Sequence, residues 1–241
     1  MAAKHRLFVP PPIEATRPLT LHRERAHYLV RVLRLRRGET VEVFDGTGRA
    51  WTATLADASA RSATLELGAV VVHEPAPAPR LHLVQGLLKG AAMDLVVQKA
   101  TELGATDIRP ILAERSNVPS GDERLQRKAD HWQKVVESAA EQCGALHLPR
   151  LHPVQDLAAF LTAPPPAVLI MLDPGAAPLP LELPRVDICL LVGPEGGWSE
   201  SERRAAAGAG AARHGLGTCI LRAETAPLAV LAALRHGWGW R

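Results

Sequence analysis

The run His73-Glu74-Pro75-Ala76-Pro77-Ala78-Pro79 most constrains what this chain can fold into. Its alternate prolines remove backbone donors and fix φ, so neither a helix nor a central strand can pass through it. It reads as an extended spacer, and residues 75–80 mark a domain boundary. The patterning differs on its two sides. Before it, His5 to Val9 predicts a short strand. Leu29, Val32, Leu33 and Leu35 predict one helix over His22 to Leu35, ended by Gly38. Val41 and Val43 alternate with Glu42, the turn Asp45-Gly46-Thr47-Gly48 follows, and Trp51, Ala53 and Leu55 alternate back as a hairpin. Ser62 to Val72 continues in the same way, which gives a small, mainly β domain over residues 1–74.

Beyond the spacer, strands and helices alternate, the signature of a parallel α/β sheet. Strands are expected at Leu81 to Gln85, Asp107 to Leu112, Ala167 to Leu172, Asp187 to Val192 and Leu216 to Leu221. The clearest helix is Asp122 to Cys143, where Leu125, Ala129, Trp132, Val136, Ala139 and Cys143 form one apolar stripe. A second domain over residues 81–241 results.

Composition excludes several classes. With 47% hydrophobic and 22% charged residues the chain is not a disordered tail, and no apolar run reaches the roughly 18 residues of a membrane span. Met1-Ala2-Ala3-Lys4-His5-Arg6 soon meets Pro10-Pro11-Pro12, without the apolar stretch of a signal peptide, so a cytoplasmic location is expected. Cys143, Cys189 and Cys219 are too scattered for a disulfide framework and are expected as reduced, largely buried thiols. The ten histidines show no metal-ligand spacing, so no metal is expected.

The net charge of +3 lies entirely before Arg80, and Lys4 to Arg37 carries nine basic residues against Glu14 and Glu24. That is the footprint of a phosphate-backbone contact, although a solvated face has the same composition. One Tyr and three Phe are too few for a base-stacking platform.

In open α/β sheets ligands bind outside the carboxyl ends of the strands. Three segments there stand out. Ile188 to Val192 runs into Gly193-Pro194-Glu195-Gly196-Gly197, and Ser199 with Glu202 makes a capping box for the next helix. Leu216 to Leu221 leads through Arg222-Ala223-Glu224 to a helix with Thr225 as N-cap and Pro227 in its first turn. Met171-Leu172-Asp173-Pro174 ends a third strand. The phosphate-loop, nucleophile-elbow and G-x-G-x-x-G motifs are all absent, which disfavours NTPases, α/β-hydrolases and dinucleotide enzymes.

Gly193-Pro194-Glu195-Gly196-Gly197 followed by Leu216-Gly217-x-x-Ile220-Leu221-Arg222-x-Glu224-Thr225-Ala226 closely resembles the RsmE family of 16S ribosomal RNA uridine-N3 methyltransferases, in the SPOUT superfamily. Lys89-Gly90 with Met93-Asp94, Gln98-Lys99-x-Thr101-Glu102-Leu103-Gly104, Glu114-Arg115-Ser116 and Glu141-Gln142-Cys143-Gly144 are similar to its central motifs. Arg6-x-Phe8, His27-x-x-x-Arg31-Val32-Leu33-Arg34 and Phe44-Asp45-Gly46 resemble its RNA-binding domain.

The resemblance implies an α/β fold in which a small, mainly β PUA-like domain precedes a SPOUT trefoil-knot methyltransferase domain, assembled as a homodimer. It implies S-adenosylmethionine as cofactor, held by Leu172, Gly193, Pro194, Glu195, Gly196, Gly197, Leu216, Gly217, Ile220, Leu221, Thr225 and Ala226. It implies 16S rRNA of the small ribosomal subunit as partner. Neutral uridine N3 is a poor nucleophile, so its proton must leave before or during attack. Arg222 is the candidate to stabilise the uracil anion, with Glu224 or Glu195 as proton acceptor. Arg6, His27, Arg31, Arg34, Lys89, Lys99 and Arg115 are the candidate RNA contacts, although Lys99 also has a local partner in Glu102. The family usually carries Arg where this chain has Cys219 and Ala145. Those departures motivate two alternatives: action on another RNA or atom, and an RNA-binding protein without catalysis.

Overall fold

The computed structural model of this chain describes residues 5–14, 16–59, 62–117, 121–180 and 182–239. Two compact units result: Met1–Ala76 with Ala140–Leu148, and Pro77–Ala139 with Pro149–Arg241.

The first unit is built on period-two alternation. Strands β1 (Arg6–Phe8), β2 (Leu19–His22), β3 (Thr40–Phe44), β4 (Arg49–Ala58) and β5 (Ser62–His73) form a five-stranded sheet in the order β1-β3-β4-β5-β2. Val41, Val43, Ala53, Leu55 and Leu65 turn to one side and are fully buried. The β3–β4 turn closes on Asp45, whose carboxylate accepts from the Thr47 amide and hydroxyl and from the Arg49 guanidinium, each at 2.8 Å. Those donors outweigh the upward pull of burial and hold the Asp45 carboxyl below its ordinary pKa.

The helix expected over His22 to Leu35 is shorter and wider than its apolar spacing suggested. It comprises α1 (Glu24–His27) followed by a π-helical turn, Tyr28–Val32. A π-turn holds one residue more than an α-turn. Leu29 and Leu35 therefore enter the core while Val32 rotates out to 58% exposure.

The second unit carries an all-parallel sheet. Strands β6 (Leu81–Gly86), β7 (Asp107–Leu112), β8 (Arg150–Leu151), β9 (Gln155–Asp156), β10 (Val168–Leu172), β11 (Ile188–Val192) and β12 (Ala212–His214) run in the order β12-β10-β11-β6-β7-β8, with β9 also on β7. Every residue of β6 and β11 is buried, as central parallel strands demand. Helices α2 (Ala91–Glu102), α3 (Asp122–Cys143), α4 (Leu157–Thr162), α5 (Glu200–Gly208) and α6 (Thr225–Gly237) complete the chain. Trp132, Val136 and Ala139 of the α3 stripe are buried, and the last turn of α3 groups with the first unit.

Two expectations are corrected. Leu216 to Leu221 is a loop, and the edge strand is Ala212–His214, which pairs with β10. The apolar residues that suggested a strand are not core residues: Ile220 is 82% exposed. Cys143 and Cys219 are also exposed, and only Cys189 is buried, its thiol pushed up to about 12 by burial. Among the described residues no helix is long and apolar enough to cross a membrane, and no His, Cys, Asp and Glu cluster could hold a metal ion.

Candidate active site

Parallel strands deliver their following loops to one edge. The register aligns His214 with Leu172, Leu172 with Val192, and Val192 with Gln85, so the segments after β12, β10, β11 and β6 leave the sheet side by side. That edge collects every candidate cofactor residue from Leu172 and from Gly193 to Gly197.

The Gly193–Gly197 loop is held at Gly193, Pro194, Glu195 and Gly196, while Gly197 faces open space. Below it, a Cβ on Gly86 would stand 2.6 Å from the Pro194 nitrogen and 3.0 Å from the Gly193 carbonyl carbon, so only glycine admits this approach. Gln85, fully buried beside it, donates to the carbonyls of Gly86 (3.0 Å) and Gly193 (3.4 Å). Gly196 packs on Arg115, whose Nη1 donates to the Gly196 carbonyl at 3.2 Å. Glu195 accepts the Lys89 amide at 3.0 Å and so ties the β11 loop to the β6 loop.

The loop then enters α5 through the expected capping box: Ser199 Oγ accepts from the Glu202 amide at 3.1 Å, and Glu202 Oε2 accepts from the Ser199 amide at 2.8 Å. Glu202 also accepts the Glu114 amide at 2.9 Å. Donation from the hydroxyls of Ser201 and Ser199 lowers the Glu114 pKa. Glu114-Arg115-Ser116 is thus a buttress for the glycine loop. Trp198 closes the underside, its indole donating to the Leu172 carbonyl at 3.2 Å.

The segment from Leu216 to Ala226 contrasts with this. Gly217 has φ 93°, and a Cβ there would meet nothing within 4 Å. Cys219 and Ile220 are exposed. Arg222 is 85% exposed along its side chain, and Glu224 stands 3.8 Å from its Nη1. Glu224, not Thr225, is the N-cap of α6, and the amides of Thr225 and Ala226 both donate to the Arg222 carbonyl. Pro227 is buried in the first turn, and α6 packs on α2 and β11.

The RNA candidates divide. Lys89 and Arg115 follow β6 and β7 at the same sheet edge. Lys99 lies on α2 and pairs with Glu102 at 2.8 Å. In the first unit His27, Arg31 and Arg34 are exposed, and Arg34 takes the left-handed φ of 55°. Arg6 is engaged within its own fold: it donates to Glu42 (2.7 Å) and to the carbonyls of Ala140 (2.8 Å) and Ala145 (3.3 Å), and stacks 4.4 Å from the Phe44 ring centroid. Glu141 likewise accepts the Phe8 amide at 3.0 Å, so the Glu141-Gln142-Cys143-Gly144 motif builds structure here.

Sequence reasoning missed the Asp173 anchor. Asp173, 6% exposed, takes a two-pronged contact from Arg203 (2.9 and 3.1 Å) with Arg213 at 3.5 Å. A lone Asp-Pro after a strand reads as a turn, and nothing local names partners thirty or more residues away.

Two family models match: the RNA methyltransferase domain over residues 74–235 and the RNA methyltransferase PUA domain over residues 21–68. The chain belongs to the RNA methyltransferase family. Its fold is a small PUA-like domain followed by an α/β methyltransferase domain. The Ribosomal RNA small subunit methyltransferase E of Synechocystis sp. is 36% identical, over 95% of this chain and 77% of that one. A Legionella pneumophila methyltransferase solved with SAM bound superposes with a TM-score of 0.88 at 30% identity, covering 96% of each chain. The Neisseria gonorrhoeae Ribosomal RNA small subunit methyltransferase E, bound to S-adenosyl methionine, gives 0.86 at 32% identity over 97% of this methyltransferase and 98% of its own chain.

Proposed function

We propose that this chain transfers the methyl group of S-adenosylmethionine to N3 of a uridine in 16S rRNA of the small ribosomal subunit, in the cytoplasm and as a homodimer. The observation that carries this reading is the gathering of the glycine loop and the β10 and β12 segments at one sheet edge. Along-chain similarity to a small-subunit rRNA methyltransferase solved with S-adenosyl methionine supports it.

The residues present suit such a cofactor. Gly197 (φ 67°) and Gly217 (φ 93°) both face open space where a Cβ would meet nothing within 4 Å, and Ile220 offers an apolar side chain with no core to enter. When bound, the cofactor supplies an electrophilic methyl group.

The protein's part is to hold, orient and move a proton. Backbone groups of Gly193 to Gly197, Leu216, Gly217, Ile220 and Leu221 form the cradle, with Leu172, Thr225 and Ala226 at its margin. Arg222 projects a cation to stabilise charge on the uracil carbonyl oxygens as N3 loses its proton. Of the two carboxylates, Glu224 is the better acceptor for that proton, because Glu195 is engaged by the Lys89 amide. The exposure of Ile220 and Arg222 suits a site completed by RNA and by a second copy of the chain.

The test is methyl transfer from labelled S-adenosylmethionine to unmodified small subunits, followed by mass spectrometry of the nucleosides. Label in 3-methyluridine is expected. Label on ribose or another base contradicts the N3 assignment, and no transfer contradicts the enzyme.

A further inference from the structure

We propose that a cavity of about 380 Å³ between the loop after β6, α2 and α3 holds a backbone phosphate of the RNA strand that carries the target uridine. This rests on the reading of the chain as an RNA methyltransferase and adds a binding site outside the cofactor cradle.

The cavity is lined by Lys89, Asp94, Arg124, Lys128, His131 and Trp132, among others. Arg124, Lys128 and His131 follow one another at spacings of four and three along α3, which puts them on one helix face. The carboxylate of Asp94 is already engaged, by the Trp132 indole at 3.1 Å and by His131 Nε2 at 3.0 Å. Those two bonds pin α2 to α3 and fix the cavity wall.

No described carboxylate lies within ion-pair distance of Lys89, Arg124 or Lys128, and Asp94, the one carboxylate in the lining named, is already bonded to His131 and Trp132, so three cations face the cavity against one engaged carboxylate. Burial lowers the Lys128 pKa, the neighbouring Arg124 adds to that, and Asp94 only partly opposes it. A phosphate adds the further negative charge that three cations can take and accepts several donors at once.

The source of the phosphate follows from position. The Lys89 amide donates to Glu195, so the cavity borders the glycine loop, and Lys89, Gly90 and Arg124 are exposed to an approaching strand. A nucleotide placed at the cradle brings a neighbouring phosphate to this opening. The sequence signal was available as the Arg124, Lys128, His131 spacing, but a helix rich in charges on its polar face conceals it.

The test compares Arg124→Ala/Lys128→Ala with Arg127→Ala, which removes an exposed cation of the same helix outside the cavity. Binding of unmodified small subunits is measured across a salt series, together with S-adenosylhomocysteine affinity and melting temperature. Affinity of the double variant is expected to fall about tenfold or more and its salt slope by about 1–2, with cofactor affinity and melting temperature unchanged and Arg127→Ala within about twofold of wild type. Wild-type affinity and slope in the double variant overturn the proposal. An equal loss in Arg127→Ala overturns it in favour of diffuse charge, and a loss of cofactor affinity overturns it in favour of a cofactor site. Because binding is read without turnover, wild-type protein that binds with the expected slope but transfers no methyl group contradicts the proposed reaction and not this phosphate site.

Discussion

The two ends of the parallel sheet differ in what they leave open: both carry tied-down polar groups, but only the carboxyl-terminal end also presents an open segment, Leu216 to Ala226. At the amino-terminal end of β6 and β7, Asp107 is buried and its two oxygens are fully engaged. Oδ2 receives Arg80 (2.8 Å) and Thr106 (3.0 Å) and stands 3.2 Å from His82 Nδ1, while Oδ1 meets His152 Nε2 at 2.8 Å. Burial alone would raise its pKa, but these partners outweigh it and hold the carboxyl far below the ordinary range. At the carboxyl-terminal end, Arg222, Cys219 and Ile220 stand exposed and Gly217 faces open space. Closed polar networks stabilise a fold, and open ones leave groups for a ligand. One sheet carries both, and the direction of its strands decides which end is which.

The largest effect is expected at the amino-terminal end. Asp107→Ala removes the shared acceptor of a buried network and is expected to cost about 3–5 kcal/mol in chemical denaturation, with S-adenosylhomocysteine affinity of the folded fraction retained. At the open end the effects reverse. Arg222→Ala is expected to reduce the methyl-transfer rate by about 10²–10³-fold, or about 2.7–4 kcal/mol, without shifting the melting temperature. Two glycines give an intermediate contrast. Gly86→Ala forces a Cβ onto the Pro194 backbone and is expected to cost about 1–3 kcal/mol and to weaken cofactor binding. Gly217→Ala meets no atom and costs only about 1–2 kcal/mol for its left-handed φ.

Acid acts on the buried Asp107 network. The folded pKa of Asp107 lies below its unfolded value, so its contribution is fully present above the unfolded pKa and is lost as pH falls through the folded one. Stability should therefore fall below pH of roughly 4, and Asp107→Asn should flatten that limb in acid titrations followed by circular dichroism. Ser199→Ala, which removes the α5 cap, has the smallest expected effect, about 1 kcal/mol.

Regular elements with one buried face were the most legible in the sequence. Asp122–Cys143, Asp107–Leu112 and the β3–β4 hairpin follow from apolar spacing and turn chemistry, and the Ser199–Glu202 cap from two residues three apart. Leu216 to Leu221 misled because periodicity records apolar residues without recording what covers them. An exposed apolar segment has the same pattern as a buried strand. The π-turn at Tyr28–Val32 had no signal, since one extra residue per turn leaves the composition unchanged. Arg6 drew attention as a cation in a basic segment, yet its partners Glu42, Ala140 and Ala145 are visible only in three dimensions. For the site itself, the glycine loop was legible while its supports were not: Gln85 and Arg115 reach it from separate parts of the chain.

Hydrogen–deuterium exchange with and without S-adenosylhomocysteine reads both sheet ends in one sample. Protection should appear at residues 193–197 and 216–226 and be absent at residues 80–82, 106–108 and 150–152. Protection at the Asp107 end, or none at either loop, would contradict the assignment of the carboxyl-terminal edge as the cofactor site.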